Sequence, residues 1–149
     1  MTAPATIDSF RGAYAFLSNF AWVGDTTVEH QWQAEKTLNP DVRARILQAK
    51  SPGAAKLAGR QVQLRADWEE IKYERMKFWL DWKFSQPVFA AQLEATGNAV
   101  LIEGNQWGDE IWGRVWRHGH WEGQNWLGKL LMQIRAERRE KALVERAEL

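Results

Sequence analysis

The sequence predicts a mostly α fold, helical throughout a single domain, with only a few short β-strands. Three observations carry this expectation. Asn39-Pro40, Ser51-Pro52 and Ser85-x-Pro87 each set a proline just after a polar residue, and proline's fixed φ and missing N–H suit the first position of a helix. Residues 68–84 hold Ile71, Met76, Phe78, Trp79, Leu80 and Trp82, apolar on more than one side, which reads as a long central helix. Leu127, Leu130, Leu131 and Ile134 recur at i, i+3, i+4 and i+7, the stripe of an amphipathic helix.

Taken in order, the chain starts with a disordered-looking segment. Residues 10–23 (FRGAYAFLSNFAWV) then mix apolar and small residues and read as loop and strand with a turn at Ser18-Asn19. Thr26-x-x-Glu29 has the spacing of a capping box, which opens a helix over about 27–37. Asn39 with Pro40 starts the next helix, and Ser51 with Pro52 starts a short one that Gly59 stops. Asp67-x-x-Glu70 has a cap-like spacing before the long helix, and Ser85 with Pro87 opens another that ends by Gly97. Val100-Leu101-Ile102 is short enough for a strand. Residues 104–124, rich in Gly, Trp and charge, show no period and are too long for a mere connection. Asn125 is expected to cap the final helix, whose charges alternate in sign from Arg135 onward; residues 136–149 read as a solvated helical extension.

Composition narrows the function. Across 149 residues there are 20 Lys+Arg and 19 Asp+Glu, so the chain lacks the basic excess with which nonspecific nucleic-acid binders displace counterions. The absence of cysteine excludes disulfides, thiolate zinc sites and cysteine catalysis. No apolar run reaches the ~20 residues of a membrane span, and MTAPATIDSF has neither the basic region nor the apolar core of a signal peptide. A cytoplasmic protein with no membrane partner is the expectation. Tryptophan is the anomaly, at ten residues with five between 107 and 126. Each indole is either core filling or a stacking wall for a base or sugar.

Two groups of residues are fit for chemistry. On a helix, Glu29, Gln33 and Lys36 stand at i, i+4 and i+7, so a carboxylate, an amide and an amine share one face. The structural alternative makes Glu29 the acid of a capping box and Lys36 a solvated charge at a helix C-terminus; His30, one residue off this face, reads as a packed histidine. The second group is Glu103, Asp109 and Trp112 in the glycine-rich loop, with Asn125 at a helix start. Neither a dinucleotide fingerprint nor a P-loop occurs, which disfavours nucleotide-driven phosphoryl transfer.

Seven segments in order carry a further resemblance: FRGAYAFLSNF (10–20), TVEHQWQAEK (27–36), SPGAAKLAGR (51–60), WEEIKYERM (68–76), KFSQ (83–86), LIE with D-x-x-WG (101–113) and N-x-LGKLLMQIR (125–135). Over residues 10–135 the chain resembles the NADAR, or YbiA-like, family. The resemblance implies a compact single-domain helical fold acting on the N-glycosidic bond of a ribosylated, nucleobase-like compound. Such a compound is either a ribosylamino-pyrimidine of the early riboflavin pathway or ADP-ribosylated guanine, nucleic acid entering only as a modified substrate. Carried over by motif, Glu29 is the essential carboxylate, Lys36 the active-site amine and Asp109 a further catalytic residue. Trp68 is a pocket wall, Trp112 a further site residue, and Asn19 and Asn125 position the substrate; Gln33, from its place on the helix face between Glu29 and Lys36, is a further substrate-binding candidate. The chain departs from the family between Asp109 and Asn125, where Val115 replaces a common glycine and Trp116 and Trp121 are added.

The residue types suit this chemistry. Breaking a ribosyl C–N bond builds positive charge on the sugar, so a carboxylate near C1′, Glu29 or Asp109, stabilises the transition state and activates water. Lys36 could instead attack the opened sugar as a Schiff-base nucleophile. Stacking of Trp68 and Trp112 on the base is worth roughly 1–3 kcal/mol each. Neither metal nor cofactor is needed. The rival readings are a noncatalytic ADP-ribose or nucleotide-binding module and an interaction protein whose tryptophan loop meets a partner.

Overall fold

A computed structural model describes residues 3–149; Met1 and Thr2 lie outside the described residues. The elements in order are β1 (Thr6–Ile7), a 3-10 helix (Gly12–Leu17), β2 (Trp22–Val23), β3 (Thr26–Thr27), α1 (Val28–Ala34), α2 (Pro40–Leu47), α3 (Pro52–Gly59), α4 (Trp68–Ser85), α5 (Pro87–Ala95), β4 (Val100–Leu101), β5 (Val115–Arg117), β6 (His120–Glu122) and α6 (Trp126–Ala147). The expected class holds: helices dominate, and each of these strands is two or three residues long. The chain forms two units, one of Asn19–Lys83 and one of the residues up to Ser18 together with Phe84–Leu149. Among the described residues no helix is long and apolar enough to cross a membrane.

In the Asn19–Lys83 unit, the antiparallel pair β2–β3 (Trp22↔Thr27, Val23↔Thr26) leads directly into α1. The cap of α1 is Thr27, not Thr26. Thr27 Oγ1 accepts the N–H of His30 at 3.0 Å, which makes Glu29 the second helical residue and removes it from the capping box. His30 is a structural residue, buried with Nδ1 2.8 Å from Thr27 Oγ1 and Nε2 2.9 Å from the Ala49 carbonyl. The helix is shorter than the predicted 27–37, because the N–H groups of Glu35 and Lys36 bond back to Trp32 and Gln33 at 3.1 and 3.2 Å. Such i−3 bonds tighten the final turn and end the helix.

The proline-led starts of α2 and α3 form as predicted. Asn39 Oδ1 accepts from Asp41 and Val42 at 3.0 and 3.2 Å, and Ser51 Oγ from Ala54 at 3.1 Å. These three helices close on Ala34, Ile46 and Ala55, flanked by Val42, Ala49, Ala58 and Val62. Small side chains here let the helix backbones approach closely. Glu35, buried at the end of α1, binds Arg43 at 2.8 Å, Arg75, and the indole N–H of Trp79 at 3.2 Å, tying α1 to α2 and α4. Along α4, Met76 and Leu80 are buried whereas Phe78 is exposed, so the helix is less enveloped than its composition predicts.

In the other unit, Thr6–Ile7 is an ordered strand rather than part of a disordered start, pairing in parallel with β4 (Thr6↔Val100, Ile7↔Leu101). Helix α6 lies on β4. A Cβ at Gly128 would stand 2.1 Å from the Leu101 carbonyl oxygen, so only glycine permits this approach. Buried Arg135 fastens α6 to the end of α5 by bonds of 2.8 Å to Thr96 Oγ1 and the Ala99 carbonyl. Ser85 belongs to α4, and Gln86 precedes α5 without a side-chain cap.

The aperiodic segment 104–124 contains an unpredicted hairpin, β5–β6, with Trp116 opposite Trp121. His118 and Gly119 turn it with φ of 53° and 81°, the positive pair that a two-residue hairpin turn requires. Trp121 packs over Gly104, where a Cβ would meet its ring at 2.8 Å; Trp116 is 57% exposed. Asn125 holds the N-cap position of α6 with φ 56° and makes no side-chain capping bond, because its amide is spent on the strand end beside it.

Candidate active site

The face predicted on α1 exists in the Asn19–Lys83 unit. Glu29 is 6% exposed, and its Oε1 accepts the Gln33 Nε2 proton at 2.8 Å. The backbone N–H of Glu29 donates to the Asn19 carbonyl at 3.1 Å, which brings Asn19 to the start of α1. Asn19 Nδ2 points at Met76 Sδ, 3.5 Å away. The other amide atoms, Asn19 Oδ1 and Gln33 Oε1, are buried and accept no hydrogen bond. A buried acceptor left unmade costs about 1–3 kcal/mol, so each requires an explanation. Gln33 lies against Gly59 of α3, where a Cβ would come within 1.9 Å of Oε1.

Lys36 is half-buried, its Nζ 5.2 Å from the centroid of the Trp32 ring. Trp32 meets Trp68 at 5.0 Å and donates its indole N–H to the Lys72 carbonyl at 2.9 Å. The wall residue expected at Trp68 is thus buried, with Trp32 between it and the amine of Lys36 among these contacts. Burial raises the Glu29 carboxyl above its ordinary pKa, against the Gln33 hydrogen bond and the charges of Lys56 and Lys36, which act to lower it. Burial lowers the Lys36 ammonium; Glu29 opposes this, while Arg60 and Lys56 add to it. An acid pushed up and a base pushed down draw the two proton affinities together, a pattern suited to proton exchange.

Sequence reasoning missed Lys56 and Arg60, which stand four residues apart on either side of Gly59. It also missed Phe20, over which Lys56 lies with its Nζ 5.9 Å from the ring centroid, and the Glu35 network. The only available signal was the spacing Lys56-x-x-Gly59-Arg60, one helix face at i, i+3 and i+4.

The other unit holds the second predicted group. Asp109 Oδ1 accepts the N–H groups of Ile111 and Trp112 at 3.0 and 2.9 Å, a turn of aspartate onto its own backbone. Its N–H and carbonyl are held by the Asn105 amide at 2.9 and 2.8 Å. Trp112 stacks edge-on against Trp126 at 5.3 Å. Asn125 accepts from the Glu103 N–H at 3.0 Å and donates to the Leu101 carbonyl at 2.9 Å. Within this unit, Asp109 and Asn125 therefore organise the loop and helix start around Trp112.

Comparison with known proteins places this geometry in a lineage. The NADAR domain model matches residues 12–139, taking in parts of both units. N-glycosidase YbiA of Escherichia coli (strain K12) is 39% identical over 132 residues, covering 82% of this chain and 80% of the relative. The maize (Zea mays) chloroplastic riboflavin biosynthesis protein PYRR is 40% identical over 131 residues, 79% of this chain but 20% of that longer protein. The NMR structure of the E. coli protein YbiA superposes with a TM-score of 0.77 at 36% identity, covering 96% of this chain and 89% of the other. With its ordered motifs, its helices and its relatives in agreement, the chain belongs to the NADAR domain family.

Proposed function

We propose that this protein is an N-glycosidase that hydrolyses the C–N bond joining a ribosyl group to a nucleobase-like leaving group, acting in the cytoplasm on a small molecule. One observation carries the reading: a buried carboxyl, Glu29, and an amine of lowered basicity, Lys36, act on each other's charge, and the amide oxygens of Asn19 and Gln33, which both bond Glu29, are buried and accept nothing. Ribose hydroxyls and ring N–H groups are the donors such oxygens would satisfy. In the proposed step, water attacks C1′ and gives a proton to the Glu29 carboxylate. The C–N bond breaks with its electron pair passing to nitrogen, and the Lys36 ammonium protonates that nitrogen. Glu29 also stabilises the positive charge that grows on the sugar. Lys36 then recovers a proton from Glu29 or solvent, and the site is restored.

The relatives' names support one of the two substrate types that the resemblance implies. Riboflavin biosynthesis appears in the name of PYRR and favours a ribosylamino-pyrimidine intermediate; ADP-ribosylated guanine is the second candidate. The roles that the motifs imply for Asp109, Trp112 and Asn125 stand as proposals on the sequence alone, with Trp112→Ala as their test. Incubation with a panel of ribosylated pyrimidines and ADP-ribosylated guanosine, scored for released base, tests the activity. Release from one of them, abolished in Glu29→Gln, is the expected result. Tight binding with no release from any compound would overturn it in favour of a binding module.

A further inference from the structure

Lys36 stands just beyond the helix that carries Glu29. Helix α1 ends at Ala34 with Glu35 as its cap, so the carbonyls of Glu35 and Lys36 lie past its hydrogen-bond ladder. A helix leaves such end carbonyls to donors from elsewhere. Arg65 serves both: its backbone N–H donates to the Lys36 carbonyl at 2.8 Å, and its Nη1 donates to the Glu35 carbonyl at 3.4 Å. The rest of the guanidinium forks onto Asp67, Nε to Oδ1 at 2.6 Å and Nη2 to Oδ2 at 3.1 Å, a bidentate geometry that a lysine cannot reproduce.

Asp67 in turn is fixed to the start of α4. Its carbonyl accepts the N–H groups of Glu70 and Ile71 at 3.0 and 3.2 Å, and the next residue, Trp68, packs on Trp32 at 5.0 Å. The Trp32 ring is the surface beside which the Lys36 amine lies, 5.2 Å from its centroid. These contacts close a circuit from the Lys36 backbone through Arg65, Asp67, Trp68 and Trp32 back to Lys36 Nζ. The ion pair in it adds little to stability, because the Asp67 side chain is 43% exposed and solvent screens such pairs. Its effect is geometric: it sets one end of the Lys36 side chain against the other.

We infer that the Arg65–Asp67 pair is a positioning device for Lys36, a clasp that keeps the lysine backbone in register with the indole beside its amine. The inference rests on the N-glycosidase reading, in which Lys36 delivers the proton to the leaving nitrogen. Both residues act through Lys36 rather than on the substrate.

The test uses the full chain and two variants. Arg65→Gln removes the guanidinium but keeps the N–H on the Lys36 carbonyl, and Asp67→Asn removes the charge that holds the guanidinium while still suiting a helix start. In each, kcat on whichever ribosylated compound wild type hydrolyses should fall by roughly tenfold to a hundredfold, the cost of a displacement of about 1 Å. KM and melting temperature should stay close to wild type, and Arg65→Lys, which cannot fork, should not restore kcat. A second readout needs no turnover: the Cε signal of Lys36, identified by its loss in Lys36→Arg, is titrated by NMR. Burial holds this ammonium below its ordinary pKa, and Glu29, Arg60 and Lys56, which also act on its charge, are the same in both variants. A Lys36 released from its seat should therefore titrate at higher pH in both than in wild type. Direct charge effects would instead move it up on losing Arg65 and down on losing Asp67, so a rise in both reports displacement. A midpoint unmoved in the folded variants, or moved in opposite directions, would overturn the clasp whatever happens to kcat. Should Arg65→Gln fail to fold, Asp67→Asn decides alone. If wild type releases base from no compound, the glycosidase reading fails and the Lys36 titration still decides the clasp by the same outcomes.

Discussion

Because Thr27 closes the first turn of α1, Glu29 is not turned back onto a backbone N–H and its carboxyl is left to Gln33. Burial holds its pKa above the usual 4.5. Above that value the unfolded chain gives up the proton more readily than the folded one, so the stability contributed by this group falls as pH rises through the raised folded value. Glu29→Gln should therefore abolish turnover yet raise the melting temperature at pH 7–8, by roughly 2–4 °C per kcal/mol recovered. The gain should vanish at pH values below 4.5, where both side chains are neutral; thermal melts across pH check it. Lys36→Arg keeps the charge but cannot deliver a proton near neutral pH, and turnover should fall by two orders of magnitude or more, given a general-acid contribution of roughly 10²–10⁴. Borohydride trapping of sugar on wild-type Lys36 would replace proton delivery with a covalent route. Glu35→Ala strands Arg43 and Arg75. Its cost should be on the order of 2 kcal/mol in a urea titration, below the ~3–5 of a fully buried pair because both arginines keep contact with water.

Among the elements, α3 acts on the site through its backbone. Gly59→Ala would drive the Gln33 amide away from α3 and so misplace Glu29. A kcat loss approaching a hundredfold is expected, since a displacement of about 1 Å can cost that much, with melting temperature moved far less. The β5–β6 hairpin divides its tryptophans. Trp121→Ala should destabilise, because Trp121 covers Gly104, whereas exposed Trp116→Ala should leave the melt intact and change which ribosylated compound is preferred. Equal loss on two compounds with different bases would refute that role for Trp116. The prolines of α2 and α3 made those starts legible because a cap is a contact between neighbours in sequence. Two adjacent threonines both stand at the α1 start, and the spacing of Thr26 to Glu29 pointed to the wrong one. The hairpin was illegible because three-residue strands are too short to show alternation. Glu29, Gln33 and Lys36 were readable from spacing; Asn19, Lys56 and Arg60 reach them by tertiary folding, and the partners of Glu35 lie 8, 40 and 44 residues away.

At the scale of the whole molecule, stability should depend on pH through Lys83, fully buried, its ammonium held down by burial to about 7. The unfolded chain keeps that proton to about 10.5, so unfolding takes up a proton between these values. Stability should climb across that window, by at most ~1.4 kcal/mol per pH unit, and be flat below 7. Urea midpoints of wild type against Lys83→Met from pH 6 to 10 measure this, and parallel profiles would exclude it. The paired indoles have an optical consequence. Trp32 and Trp68 lie 5.0 Å apart at 55° in one unit, and Trp116 and Trp121 lie 5.2 Å apart at 74° in the other. Transition dipoles that close and that oblique couple, so each pair should give an exciton doublet in ultraviolet circular dichroism, isolated as the difference on Trp68→Phe or Trp116→Phe. Trp79–Trp82 and Trp112–Trp126 also pair, one in each unit, and the two difference spectra separate the Trp68 and Trp116 pairs from them. Following the two doublets through a melt would show whether the units lose their structure in one transition or in two.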